Sequence, residues 1–270
     1  MTTGATAPAS PNTGAPPAQT FSFVVPTTFV DLPSKGRYYP EGHALHRQDT
    51  IEIKHIEIKY MTAKEEDILT SRSLLKKGVA LDRVIQNLII DKSIAPERLL
   101  VGDRNAIIIA ARIAAYGSDY ETKVNCPSCG ASQNYCFDLI DAESTESEVS
   151  DSMGVIDNEN GTFDVTLPVT ELSVTFRLLT GADEKIIINN ASNNKKKAAS
   201  NRGLENNVTG HLNAIICAVN GDTTPQAKKY LIENIPSMDS RHLRFAHQKA
   251  TPNVELSETF TCSECDFEQE

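Results

Sequence analysis

Tryptophan is absent from this 270-residue chain, and aromatic residues make up only 6% of it. Its core must therefore be mostly aliphatic, and few rings remain to stack on bases or sugars. Positive charge is also scarce: 26 Lys and Arg face 36 Asp and Glu, for a net charge of −10. That balance opposes duplex binding, which draws its affinity from cations at phosphates. Long apolar runs are missing. The longest, Ala106 to Ala115, is interrupted by Arg112 and falls short of membrane-spanning length. There is no Gly-rich phosphate loop ending in Lys-Ser/Thr and no His-Glu-x-x-His motif. The N-terminal residues show no charged-plus-apolar signal pattern, so a reducing cytoplasm is expected during synthesis. Six cysteines in that setting read as metal ligands or core residues before they read as disulfides.

Residues 1–20 carry no charged and no aromatic side chain, which predicts a disordered or docking tail. Phe21 to Tyr60 has an extended pattern, with Ile51, Ile53, Ile56 and Ile58 on a strand. Thr62 and Glu65 form a capping box. Leu81, Val84, Ile85, Leu88 and Ile89 share one helical face. Asp103 is placed to cap a helix running to about Tyr116, with Gly117 as its stop. A strand over Tyr120–Val124 then leads into Cys126-Pro127-Ser128-Cys129. Residues Asp141 to Ser152 read as an acidic linker, and Asn160-Gly161 as a hairpin turn.

The second half repeats this order. Asp239 precedes Cys262 by the same 23 positions that separate Asp103 from Cys126. Leu256-Ser257-Glu258-Thr259-Phe260 parallels Tyr120–Val124, and Val174 to Thr180 parallels Ile56 to Thr62. Val208, Leu212, Ile215 and Ile216 echo the apolar face of the first half. The expected fold is α+β, an internally duplicated strand–helix–knuckle unit with pseudo-twofold symmetry. Its divisions are the tail 1–20, a first repeat 21–140, an acidic linker and hairpin 141–160, and a second repeat 161–270. A rigid wedge with no substrate cleft follows from such pairing.

Each Cys-x-x-Cys turn presents two thiolates to one metal, and two such turns complete a tetrahedral shell. Cys126, Cys129, Cys262 and Cys265 are therefore the expected ligands of one structural zinc per chain. Four thiolates leave no open position for water, which excludes hydrolytic zinc chemistry. Cys136 and Cys217 read as packing residues. His43, His46 and His55 read as loop and strand-edge residues, and His242 and His247 as lying on different faces of one helix. Lys195-Lys196-Lys197 keeps a nucleic-acid-binding zinc ribbon as the alternative reading.

The run Phe29-Val30-Asp31-Leu32-Pro33-Ser34-Lys35-Gly36-Arg37-Tyr38-Tyr39-Pro40 is followed by Met61-Thr62-Ala63-Lys64-Glu65-Glu66-Asp67-Ile68-Leu69. Together with Leu178-Leu179-Thr180-Gly181-Ala182-Asp183-Glu184 and Cys262-Ser263-Glu264-Cys265, it resembles the baseplate hub assembly proteins of T-even-like contractile-tailed bacteriophages. The resemblance covers about residues 22 to 267. It implies a role in building the tail baseplate near the central hub, with other baseplate proteins as partners and no catalytic residues. Neither a small-molecule substrate nor membrane insertion is expected of this chain. The chain would meet its partners in the host cytoplasm and end in the virion tail. The zinc assignment comes from cysteine spacing, not from the resemblance.

Overall fold

The structure is a computed structural model. It describes residues 23–46, 55–149, 154–198, 207–257 and 259–269, with side chains except at 191–198 and 207. The tail 1–20, Ile51 and Ile53, and the side chains of Lys195 to Lys197 lie outside the described residues.

The first half opens on an antiparallel pair, β1 (Thr27–Asp31) and β2 (His55–Lys59). Helices α1 (Ala63–Thr70), α2 (Arg72–Lys76), α3 (Ala80–Leu88) and α4 (Val101–Tyr116) follow. A hairpin, β3 (Asp119–Asn125) and β4 (Ser132–Asp138), carries the first Cys-x-x-Cys turn at its tip. The short strand β5 (Glu143–Thr145) comes next. In the second half, β6 (Val155–Asp157), β7 (Thr162–Thr166), β8 (Ser173–Arg177) and β9 (Ile216–Val219) form one antiparallel sheet in sequence order. Between β8 and β9 stand α5 (Gly181–Ala198) and α6 (Asn207–Ile215). Then come α7 (Pro225–Asn234), α8 (Ser237–Ala250), β10 (Asn253–Glu255), β11 (Phe260–Thr261) and β12 (Glu268–Gln269).

Alternation decides which face each strand buries. Val30 pairs with Ile56 on the inner face of β1–β2, and Phe163 with Phe176 on that of β7–β8. Phe163 and Phe176 stack with ring centres 5.4 Å apart, and Tyr38 from the first half packs on Phe163 at 5.6 Å. One apolar core thus runs through both halves, taking in Leu88, Ile107, Leu212 and Leu243. Backbone bonds join the halves as well: Val101 N–H donates to Leu179 O and Gly181 N–H to Leu99 O. Arg104 is buried and reaches Asp82 in its own half and Glu184 in the other, each at 2.6 Å.

The halves use matching local devices. In the first, the Glu65 carboxylate accepts from the Thr62 hydroxyl at 2.6 Å and the Thr62 N–H at 3.0 Å, with Lys59 at 3.3 Å. In the second, Asp183 accepts from the Thr180 hydroxyl at 2.7 Å and its N–H at 2.9 Å, with Arg177 bidentate at 2.6 and 2.8 Å. Burial opposes ionisation of both carboxyls. The Thr62 and Lys59 donors nevertheless hold Glu65 down to about 2, and the Arg177 and Thr180 donors do the same for Asp183. Both folded values lie below the ordinary 4.5 and 3.8. The stabilisation is therefore complete above those values and is lost as pH falls towards 2. Thermal midpoints should drop over that interval, and the double variant Glu65→Gln/Asp183→Asn should flatten the drop. An unchanged profile would refute this origin.

Four expectations need correction. Asp103 and Asp239 do not cap: each is the third residue of its helix, fully buried, and turned to a loop. Asp103 accepts from the Ser34 N–H at 3.0 Å, the Ser34 hydroxyl at 2.6 Å and the Tyr39 hydroxyl at 2.7 Å. Asp239 accepts from the Val169 and Thr170 N–H groups at 2.8 and 3.0 Å and from the Thr170 hydroxyl at 2.8 Å. Those loops follow Leu32-Pro33 and Leu167-Pro168, so the Leu-Pro step belongs to both halves. Leu81, expected on the core face, is 47% exposed, as is its counterpart Val208 at 45%. The 141–152 stretch is not merely a linker, because β5 within it pairs with β10. Leu256 and Ser257 lie outside any strand, and only Phe260–Thr261 forms β11. Gly117 does stop α4, at φ 82°.

Candidate metal centre

Both Cys-x-x-Cys turns close in the same way. Cys126 N–H donates to Ala131 O at 2.8 Å, and Gly130 N–H donates to Cys126 O at 2.9 Å. Cys262 N–H donates to Phe267 O at 2.9 Å, and Asp266 N–H donates to Cys262 O at 3.0 Å. The last residue of each turn has positive φ, 74° at Gly130 and 51° at Asp266. Gly and Asp are residue types that tolerate that left-handed position. This backbone path brings the two sulfurs of a turn onto one side and directs N–H groups at them. Glu264 N–H lies 3.4 Å from the Cys262 sulfur.

The two turns face each other. Cys126 Sγ is 3.7 Å from Cys265 Sγ, and Cys129 Sγ is 3.7 Å from Cys262 Sγ. All four sulfurs lie within 4.8 Å of one another. Four thiolates ~2.3 Å from a tetrahedral ion would stand roughly 3.8 Å apart, so the spacing fits zinc. Disulfides would need sulfurs at about 2.05 Å, and all six cysteines are free. Cys126 and Cys262 are buried, whereas Cys129 and Cys265 are exposed.

Backbone N–H groups of Cys129 and Ser128 hold the Cys126 thiol down to about 7. At Cys129 the Ala131 N–H works in the same direction, but Cys265, Cys126 and Cys262 crowd it and push it up to about 12. A thiophilic cation among the sulfurs would relieve the crowding at Cys129, so the donor set fits a metal.

A small apolar cluster of its own surrounds the sulfurs, with Phe260, Val124, Ala131, Tyr135 and Phe267. Gln133 on β4 clamps the second turn: its Nε2 donates to Thr261 O at 3.0 Å. Its Oε1 accepts from the Ser263 N–H at 2.9 Å and hydroxyl at 3.0 Å. Tyr135 donates to Thr259 O at 2.8 Å and packs edge-on against Phe260. Cysteine spacing cannot reveal Gln133 or Tyr135, since their partners lie more than 120 positions away. Cys136, expected in the interior, is exposed on β4, and Cys217 is half-buried. His43 stacks on Tyr39 with ring centres 4.4 Å apart, and exposed His55 faces Asp31 at 2.8 Å. His242 lies on α8, half-buried, while His247 on the same helix is buried.

No helix among the described residues is long and apolar enough to cross a membrane. No curated protein and no solved structure matches the chain. A family model does: that of the T4 bacteriophage base plate protein, over residues 26–270. The match spans both Leu-Pro loops, both buried aspartates and all four clustered cysteines. The chain therefore belongs to the T4 base plate protein family and is a T4-like phage baseplate protein.

Proposed function

We propose that this baseplate protein is a non-catalytic structural or assembly component of the hub region. One structural zinc on Cys126, Cys129, Cys262 and Cys265 makes it rigid. The observation that carries this reading is the convergence, within 4.8 Å, of sulfurs from two turns 136 positions apart in the chain. A closed four-thiolate shell contributes folding energy and offers no open position for chemistry.

The two halves are read as copies of one unit related by a pseudo-twofold axis near the metal. Several paired observations support this. The Thr62–Glu65 and Thr180–Asp183 boxes match, and so do Asp103 and Asp239, each buried and bonded to the loop after a Leu-Pro step. Strand order matches too: Ile89 bridges to Ile58 in β2 as Ile216 pairs with Phe176 in β8. Neither half has a core separate from the other, so pairing buries both apolar faces. The product is a stiff block able to hold neighbouring baseplate subunits at fixed angles.

Mass spectrometry of purified virions tests the role. The chain should be present at a small, fixed ratio to other baseplate proteins. Its absence from virions, with presence in tail assembly intermediates, would make it an assembly factor. Absence from both would overturn the reading.

A further inference from the structure

Among the described residues, β1 pairs with β2 alone, and its outer edge is open. In the second half the corresponding strand is β7, since Leu167-Pro168 follows it as Leu32-Pro33 follows β1. There β6 lies antiparallel along the outer edge. We propose that in the first half this place is taken by β1 of a second copy of the chain, which makes a dimer through one continuous antiparallel sheet.

The direction of the backbone groups is the first argument. Opposed residues of an antiparallel pair alternate between those that exchange hydrogen bonds and those that turn away. Tyr60 N–H donates to Pro26 O at 2.9 Å, so that opposed pair is a bonded one. Counting by two, Thr28–Ile58 and Val30–Ile56 are bonded as well. Thr27, Phe29 and Asp31 therefore aim their N–H and C=O groups at the open edge. Glu57, opposite Phe29, obeys the same alternation: its carbonyl points to the far side of β2 and accepts from the Ile90 N–H at 3.1 Å. In the second half the Leu167 N–H bond to Leu172 O, at 2.9 Å, sets the same count and turns Thr162 and Asp164 towards β6. Asn158 N–H, just past β6, does donate to Thr162 O at 3.1 Å. The ladder alone opens the edge of β1, whether or not the halves are copies.

The usual guards against edge pairing are missing. Lys or Pro within the strand, or a bulge, blunts natural edges. Thr27–Asp31 contains neither residue, and its register against β2 runs without a shift. Phe29 at its centre is 68% exposed, and Phe23 and Val24 just before it are exposed too. A two-stranded sheet is marginal by itself. Doubling it gives four strands, as in the sheet of the second half.

The sequence of β1 favours its own copy over a foreign strand. Antiparallel pairing centred on Phe29 sets Phe29 opposite Phe29 and Thr27 opposite Asp31. This register uses all three outward residues of both strands. The two rings meet across the twofold axis as an aromatic cross-strand pair. Like charges stay apart. Each Asp31 faces a Thr27, with His55 on its other side at 2.8 Å. The two Glu57 carboxylates lie beyond the rings, three strand spacings or about 14 Å from each other. The net charge of −10 on each chain opposes association at long range, so the contact is weak and strengthens with salt.

Sedimentation of the full-length chain from micromolar to millimolar concentration, at high ionic strength, tests this. The weight-average mass should climb from one chain towards two. In the dimer, amide exchange should slow about tenfold or more at Thr27, Phe29 and Asp31. It should not change at Thr28 and Val30, whose amides already bond to β2. Phe29→Lys, at an exposed position, should leave the thermal midpoint unchanged. It should weaken the dimer roughly tenfold or more, because it sets two ammonium groups opposite each other. A chain that stays monomeric throughout overturns the proposal, even if it captures a strand of another baseplate protein. So does a dimer that Phe29→Lys leaves intact. Slow exchange at the three outward amides at every concentration also overturns it, because another part of the same chain then covers the edge.

Discussion

Each of the four variants Cys126→Ser, Cys129→Ser, Cys262→Ser and Cys265→Ser is expected to lose stoichiometric zinc and to unfold at a much lower temperature. Metal binding to a structural four-ligand site is worth about 10–16 kcal/mol in small zinc domains, comparable with the ~5–15 kcal/mol net stability of a whole protein. The surroundings explain why the loss should be felt. Phe260, Tyr135 and Phe267 form a satellite cluster separate from the main core, and an apolar cluster this small is weak without its clamp. The core that includes Ile107 and Phe176 should persist. Hydrogen exchange should therefore rise first around β3, β4, β11 and β12. Cys136→Ser is the matched control, because that thiol is exposed and lies outside the cluster of four. Protein purified under reducing conditions with neither zinc nor another tetrahedral thiophile bound would defeat the assignment.

Gly102→Ala is expected to be the most damaging single methyl group. Gly102 lies in the first turn of α4, where Pro252 and β10 cross it. A Cβ there would sit 1.9 Å from Pro252 O and 3.0 Å from Asn253 Cα. Both obstacles are backbone and cannot rotate away. The helix would have to retreat by more than an ångström, stretching the 3.0 Å hydrogen bond that Asn105 Nδ2 donates to Asn253 Oδ1. Overpacking of this kind costs about 1–3 kcal/mol and sometimes more; immovable backbone puts this site at or above ~3 kcal/mol. Gly210→Ala on α6 is the contrast. Nothing lies within 4 Å of its added Cβ, so Ala should be neutral or stabilise by up to ~1 kcal/mol through helix propensity. Denaturant midpoints of the two variants decide the matter: equal stabilities would mean that α4 and β10 do not approach this closely.

Local chemistry was readable from the sequence, and distant chemistry was not. Cys126-x-x-Cys129 and Cys262-x-x-Cys265 announce themselves because the thiols of each pair are three positions apart. Thr62–Glu65 is legible for the same reason, and the equal spacing from Asp103 and Asp239 to the cysteines is what raised the expectation of a duplication. The role of those aspartates was misread. A carboxylate near a helix start ordinarily caps its own helix, whereas here Ser34 and Thr170 outcompete from about 70 positions away. Cys136 was misjudged because alternation along a hairpin says which residues share a face but not which face is covered. Gly102 gave no signal, since a glycine in a helix reads only as a weak helix former.

The convergence of two distant knuckles has a consequence in time. Translation proceeds at roughly 5–20 residues per second, so the 136 positions between Cys126 and Cys262 take on the order of ten seconds to emerge. Throughout that interval the first pair of thiols has no partner pair in its own chain. On a crowded messenger, the nearest complementary pair belongs to the nascent chain ahead. Correct closure is then a race between the arrival of Cys262 and capture by a neighbour. A slow stretch of codons after the first knuckle would lengthen that exposure, and one after the second would not.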